Sequence, residues 1–168
     1  VVRISDYVHP AALDEYRGKV YSSSSPGKPS QCVKDVLVVN RLLKGDALLE
    51  TDATCYLGPD REIISPLGVP GISAVRCGKV IFCSSQGPID HMGQFIVGKG
   101  YFRAQVDQTY QNLEAILHSA GASLKDVVRT IEITSPQSYY QQSVLDDIRK
   151  KRFGNALPAV TTVTGNSL

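Results

Sequence analysis

Tryptophan is absent from this 168-residue chain, methionine occurs once, and aromatic residues make up only 7% of it. The eight tyrosines are not interleaved with lysine and arginine, which argues against a nucleic-acid-binding surface. No apolar run is long enough to cross a bilayer, and no signal-peptide pattern is visible. We therefore expect a cytoplasmic protein that binds neither nucleic acid nor membrane.

Metal-ligand spacing is also missing from the sequence. The four cysteines are Cys32, Cys55, Cys77 and Cys83, and the three histidines are His9, His91 and His118. Each stands alone, without a CxxC pair or a neighbouring carboxylate cluster. Single cysteines in apolar or alternating contexts are typical of core positions in a reducing compartment. The sequence therefore predicts neither a metal site nor a cofactor.

The composition that is present is that of one ordinary globular unit. Apolar residues make up 42% of the chain and charged residues 20%, with a formal net charge of +2. The densest basic run is Arg149-Lys150-Lys151-Arg152. Such a run is more often a solvated helix end, favoured by the helix dipole, than a nucleic-acid site.

Residues 79–121 form the stretch around which the chain is organised. A β-branched apolar run ends at the small polar corner 84–87, where nothing bulky would block a ligand. A helix is predicted over 103–120, because apolar residues recur on one face and Gly121 is placed to end it. Residues 126–133 alternate as the next strand, so the local order is strand, helix, strand.

An internal repeat organises the rest of the chain. The segment Val1-Val2-Arg3 precedes Pro10 by the same spacing as Val127-Val128-Arg129 precedes Pro136. Further along, 13–17 matches 145–149, and Pro29-Ser30 corresponds to Pro158-Ala159. Both copies read strand (1–8), helix (11–21), loop and strand (33–40) in the numbering of the first copy.

The repeat predicts how the chain is divided. The first copy continues into an alternating strand at 47–57, whereas the second stops at Leu168 without such a strand. We expect an N-terminal half-module at 1–58, a Pro- and Gly-rich connector at 59–71 and a core at 72–168, together forming one compact unit. The strand at 47–57 is expected to complete the sheet of the C-terminal core, as in a circularly permuted or partly duplicated fold, because an open edge invites aggregation.

The segments FCSSQGPID, QTYQNLEAILHSAGASLKDVVRT and LPAVTTV resemble the RidA/YjgF family over about residues 70–165. The resemblance implies an α+β fold, chorismate-mutase-like, with a mostly antiparallel sheet packed against helices. It also implies a homo-oligomer, a trimer or hexamer, with ligand clefts between subunits. Members hydrolyse enamines and imines to keto acids and ammonia without a metal or organic cofactor.

The resemblance also names candidate site residues. Glu50 stands where the family has its water-positioning glutamate, and Ser84, Ser85, Gln86 and Gly87 resemble its cleft edge. The arginine that holds the substrate carboxylate in the family is missing from 158–160 and from 29–31. Replacement cations would be Lys34, Arg41, Arg76 or Arg129, of which Arg76 and Lys34 are the substrate-binding candidates. An altered carboxylate clamp suits a specialised deaminase of the 2-aminomuconate type from aromatic degradation.

The chemistry needs few groups. An enamine tautomerises to an imine, to which water adds if a carboxylate such as Glu50 moves the proton and donors hold the acid. Three simpler interpretations stay open: Glu50 points outward from its strand, the 84–86 corner is only a turn, and Cys83 is a core thiol rather than a nucleophile. The alternative function is a non-catalytic small-ligand-binding or regulatory protein with the same fold.

Overall fold

The structure is a computed structural model that describes residues 1–22, 32–40, 42, 44–66 and 73–165. In chain order its strands and helices are β1 (Arg3–Val8), α1 (Leu13–Ser22), β2 (Val33–Val38), β3 (Leu49–Thr54), β4 (Arg61–Ile64), β5 (Ala74–Cys77), β6 (Val80–Cys83), α2 (Phe102–Ser119), β7 (Arg129–Thr134), α3 (Gln142–Phe153) and β8 (Ala159–Thr164). Short 3₁₀ turns at 10–12, 124–126 and 136–141 precede α1, β7 and α3. Among the described helices, none is long and apolar enough to span a membrane.

The strands confirm the α+β class but form three small sheets within the described residues, in the orders β2-β1-β3, β4-β5-β6 and β7-β8. The prediction that the strand at 47–57 completes the C-terminal sheet is wrong for this structure, because β3 lies antiparallel to β1 of its own module. Their ladder runs from Arg3 opposite Thr54 to Val8 opposite Leu49. The Thr51 hydroxyl adds a 2.7 Å hydrogen bond to Asp6 across this pair.

The internal repeat is visible in the strand registers. Strand β1 pairs in parallel with β2, with Arg3 opposite Val33, and β7 pairs in parallel with β8, with Arg129 opposite Ala159. Both residues of the second pair lie 126 positions after those of the first. This register makes Cys32, rather than Pro29, the equivalent of Pro158; Pro29 itself lies outside the described residues.

Helix α2 forms where its apolar periodicity predicts it. Val106, Tyr110, Ile116 and Leu117 are its buried residues, so a single face of the helix meets the core. Just beyond its end, Gly121 adopts φ +67°, a left-handed conformation that glycine reaches without steric cost. The helix packs on one side against α3 and on the other against the β4-β5-β6 sheet.

The connector predicted at 59–71 is not simply a linker. Residues 61–64 form β4, which pairs antiparallel with β5, so this part of the chain belongs to the core sheet. This short strand reads Arg-Glu-Ile-Ile, without the alternation that would have predicted it, while residues 67–71 lie outside the described part.

The N-terminal module and the C-terminal core share buried residues. Val2 and Val33 of the first copy pack with Val75 and Cys77 of β5 in one cluster. Three of the four are at most 1% exposed, so neither part buries this surface alone. The first copy therefore lies directly against β5, which pairs with β6, the strand that leads to the 84–87 corner.

Candidate functional site

The polar corner after β6 is fixed by backbone hydrogen bonds. The Ser84 N–H and hydroxyl both donate to the Ser73 carbonyl, at 2.9 and 3.1 Å. The Gln86 side-chain amide turns back to donate to Ser84 and Ser85. Asn112 of α2 donates to the Gly87 carbonyl at 2.9 Å. These bonds leave Ser85 exposed at the tip of the corner.

Asp35 of β2 ties this corner to the N-terminal module. Its Oδ1 accepts the Ser85 N–H at 2.6 Å, and its Oδ2 accepts Arg3 Nε at 2.8 Å. The Arg3 Nη2 atom lies 2.7 Å from the same oxygen. The Asp35 side chain is 1% exposed, so its charge is balanced by Arg3 rather than by water. One buried carboxylate thus joins β1, β2 and the corner.

A cleft of about 220 Å³ opens beside Ser85, between the two copies of the repeat. Its described lining consists of Arg3, Tyr7, Leu37, Val38, Val39, Ser85, Arg129, Ile131, Ile133, Thr161, Val163 and Gly165. The walls are mostly aliphatic, and the polar groups are two guanidinium groups and a few hydroxyls. A small molecule with an apolar body and an anionic group is the ligand that such a cleft suits.

Arg129 supplies the free charge of the cleft. It is exposed on β7 and forms no ion pair with any residue that the structure describes, whereas Arg3 is held by Asp35. A guanidinium can bind a carboxylate through two parallel hydrogen bonds. Of the four replacement cations considered from the sequence, Arg129 is the one that lines the cleft, while Arg41 lies outside the described residues.

The other two cations are placed elsewhere. Lys34 is exposed on β2 between buried Val33 and Asp35, so strand alternation turns it to the opposite face. Arg76 lies 3.2 Å from Glu62 of β4 and donates to the Ala120 carbonyl at the end of α2. Neither residue belongs to the described lining of this cleft: Lys34 faces solvent, and Arg76 joins β4 to α2. Their substrate-binding role stays a prediction.

Glu50 lies on β3, directly opposite Tyr7 of β1. Residues that face each other across an antiparallel pair project from the same face of the sheet. Since Tyr7 lines the cleft, Glu50 projects toward the cleft side and is partly buried. Its predicted catalytic role stays a prediction.

Cys83 precedes the corner but is not prepared as a nucleophile. Burial raises the pKa of its thiol to about 11, because desolvation and the nearby Asp35 charge outweigh the opposite effect of Arg3. A thiol with this pKa is almost entirely protonated at neutral pH. Among the described residues, no group of three or more His, Cys, Asp or Glu could hold a metal ion.

Sequence reasoning missed Arg3, Asp35 and Tyr7. A signal for Arg3 was available, because it is the repeat equivalent of Arg129 in the shared Val-Val-Arg segment. Asp35 is the single acidic residue of β2 and alternation places it on the same face as Val33 and Leu37, which is a pattern that an inward-facing charge can produce. Tyr7 had no distinguishing feature in the sequence, because only the fold brings residues of β1 and β7 into the lining of one cleft.

Comparison with known proteins finds a matching family model and several relatives. The family model described as Endoribonuclease L-PSP matches residues 71–168. A RutC family protein of Pyrococcus abyssi is 34% identical over 98 residues, which are 58% of this chain and 74% of that protein. A 2-iminobutanoate/2-iminopropanoate deaminase of Dermatophagoides farinae is 26% identical over 112 residues, 64% of this chain and 84% of the relative.

Solved structures show the same fold. The RidA structure from a Psychrobacter species has a TM-score of 0.52 at 26% identity, covering 63% of this chain and 82% of that one. A Rid family protein of unknown function from Yersinia pestis has a TM-score of 0.57 at 23% identity, covering 65% and 89%. The matched family model, the relatives and the fold together show that this chain belongs to the RidA/YjgF family, whose model bears the name Endoribonuclease L-PSP.

Proposed function

We propose that this protein is a hydrolytic deaminase that converts an enamine or imine acid to the keto acid and ammonia. The observation that carries the proposal is the cleft in which the free guanidinium of Arg129 faces an aliphatic wall beside Ser85. This combination suits a small amino or imino acid. Family membership and the deaminase relative support the same reaction.

The proposed mechanism uses the groups around the cleft. Arg129 holds the substrate carboxylate, and the aliphatic residues of β7 and β8 contact the side chain of the substrate. The enamine takes a proton on carbon and loses one from nitrogen to become the imine. Water then adds across the C=N bond, which leaves a hydroxyl on carbon and an NH2 group. Transfer of the hydroxyl proton to nitrogen with cleavage of the C–N bond releases ammonia and leaves the keto acid.

Glu50 is the proposed acid/base in these steps. A carboxylate on the cleft side of β3 can accept a proton from water and return it to the leaving nitrogen. Its position opposite Tyr7 brings it to the side of the sheet where the substrate would lie. The neutral Cys83 thiol takes no part, so the reaction proceeds without a covalent intermediate.

The test is ammonia release above the spontaneous rate from imines generated freshly by an amino-acid oxidase. Glu50→Gln should keep its fold and lose at least about tenfold in turnover, as expected when a general acid/base is removed. Glu62→Gln is the matched control: Glu62 of β4 pairs with Arg76 of β5, and neither residue belongs to the described lining of the cleft. Equal turnover of wild type and Glu50→Gln would exclude this role for Glu50.

The second candidate function is a non-catalytic small-ligand-binding or regulatory protein, favoured by the absence of the family's arginine from residues 158–160. The same assay separates the two, because a binding protein would release no ammonia above the spontaneous rate from any imine while still binding the keto acid. We also propose that the protein works in the cytoplasm as a homo-oligomer, a trimer or hexamer. Sedimentation equilibrium would test that assembly.

A further inference from the structure

The cleft is lined by equivalent positions of the two copies. Four pairs of lining residues are related by the 126-position shift that also relates the strand registers. They are Arg3 and Arg129, Tyr7 and Ile133, Leu37 and Val163, and Val39 and Gly165. The two copies therefore meet face to face across the cleft, each presenting its parallel strand pair.

One pair breaks this symmetry in charge. In the first copy, Asp35 lies two residues beyond the partner of Arg3 and neutralises that guanidinium. The equivalent residue of the second copy, two beyond the partner of Arg129, is Thr161. Thr161 lines the cleft but carries no charge, so Arg129 keeps its positive charge for a ligand. Two arginines of the described lining face the cleft, but only the charge of Arg129 is available to bind an anionic ligand, since Asp35 balances that of Arg3.

We propose that the residues at the Asp35 and Thr161 positions set the charge of the ligand, so that the cleft selects a monocarboxylate over a dicarboxylate. A second carboxylate would meet either the aliphatic wall, where burying a charge costs free energy, or the Arg3 guanidinium, whose charge Asp35 already balances. The cleft volume of about 220 Å³ is sufficient for a ligand the size of a small amino acid. This inference rests on the proposed function for the identity of the substrate, and it argues against a diacid such as 2-aminomuconate.

The test uses two keto acids that differ only at one end. The 2-oxopentanoate ion ends in a methyl group, whereas 2-oxoglutarate ends in a second carboxylate. Calorimetric titration would measure the binding of each to the wild type, Thr161→Asp, Asp35→Asn and the double variant. Thr164→Asp is the matched control. It adds the same negative charge to β8, at a residue outside the described cleft lining.

Each single variant has a distinct expected result. In Thr161→Asp the new carboxylate should pair with Arg129 as Asp35 pairs with Arg3, so 2-oxopentanoate affinity should fall by about tenfold, the effect of one charged hydrogen-bonding partner. In Asp35→Asn, Arg3 becomes free while the amide oxygen can still accept the Ser85 N–H. The affinity for 2-oxoglutarate should then rise by about tenfold.

The double variant restores one free arginine, now Arg3, and should regain most of the 2-oxopentanoate affinity. Unchanged 2-oxopentanoate binding in Thr161→Asp would overturn the proposal, and so would equal losses in Thr161→Asp and Thr164→Asp. Since position 161 is exposed, Thr161→Asp should fold even if the buried Asp35→Asn does not; circular dichroism and melting would check each variant.

Turnover is measured separately on the freshly generated imine of 2-oxopentanoate. If the binding pattern holds but no imine is hydrolysed, the deaminase function fails and the charge selection stands. If imines are hydrolysed but 2-oxopentanoate and 2-oxoglutarate bind wild type equally, the charge selection fails and the deaminase function stands.

Discussion

At the scale of single residues, Asp35 both stabilises the fold and positions Ser85. It is buried, and it accepts hydrogen bonds from the Arg3 guanidinium and the Ser85 backbone, two residues that line the cleft. A buried carboxylate without partners would be strongly destabilising, so its two donors must remain in place for the protein to fold. The same contacts that stabilise the fold therefore also hold Ser85 beside the cleft.

We predict that Asp35→Ala lowers the free energy of unfolding by about 2–3 kcal/mol, because it leaves a Ser85 N–H unsatisfied and Arg3 without its partner. Urea unfolding followed by circular dichroism would measure this. Lys34→Ala, the exposed neighbour on the same strand, should change stability by less than about 0.5 kcal/mol. Similar losses in both variants would contradict the assignment.

Cys83 gives a prediction about pH. Its thiol pKa is raised from 9.0 to about 11 in the folded protein, so the folded state holds this proton more tightly than the unfolded chain. The stability that this thiol contributes is present below about pH 9 and is lost as the pH rises toward 11.

The same shift predicts slow alkylation. At pH 8 only about a thousandth of Cys83 would be thiolate, so iodoacetamide should label it far more slowly than the exposed Cys55. Peptide mass spectrometry after timed labelling would compare the two cysteines. Equal labelling rates in folded protein would show that Cys83 is neither buried nor desolvated.

At the scale of elements, the C-terminal basic run joins two helices. Arg152 of α3 lies 2.9 Å from both Asp107 and Glu114 of α2, and its guanidinium lies 6.0 Å from the Tyr110 ring centroid. Arg149 contacts Glu132 of β7 and Asp146. The expectation of a solvated helix end is correct in place, since the run ends α3, but its two arginines are only 15% exposed.

We predict that Arg152→Ala lowers the free energy of unfolding by about 1–2 kcal/mol, because two partly exposed ion pairs and a cation–π contact are lost together. Lys151→Ala, its exposed neighbour, should change stability by less than about 0.5 kcal/mol. Thermal melting at low and at 1 M salt would test the electrostatic origin, since salt should reduce the difference between the two variants.

Element by element, the sequence was most informative where apolar periodicity was long. Helix α2 formed over Phe102–Ser119, with its predicted Val106 and Tyr110 face inward. Strand β4 was not predicted, because its four residues, Arg-Glu-Ile-Ile, do not alternate and lie between turn-forming glycines and prolines. The partner of β3 was mistaken because alternation shows which face of a strand is buried and says nothing about its neighbour.

The site was predictable only where one segment carried it. The 84–87 corner could be found from its small polar residues, and Ser85 does line the cleft. Arg129 could not be ranked among the candidate cations, and Arg3 and Asp35 were missed, because their roles depend on which strands face each other across long sequence separations. The sequence does not show whether a charged residue of a strand faces solvent, as Lys34 does, or pairs with an arginine, as Asp35 does.

At the scale of the whole molecule, the two copies depend on each other. Val2 and Val33 cover Val75 and Cys77 of the core, and the cleft takes its walls from both copies. Burying an aliphatic side chain of this size is worth about 1.5–3 kcal/mol. Loss of the first copy would therefore remove several kcal/mol from the core as well as one wall of the cleft.

We predict that a chain of residues 60–168 alone is insoluble or unfolds without a cooperative transition, because the apolar face around Val75 would meet water. It should also fail to bind 2-oxopentanoate, since the wall made by Tyr7 and Leu37 is missing. Size-exclusion chromatography, urea unfolding and calorimetry, each with residues 1–168 in parallel, would measure solubility, cooperativity and binding. A soluble 60–168 chain that unfolds as cooperatively as the longer chain would mean that the C-terminal module is complete in itself and that the shared cluster is only a contact between independent units.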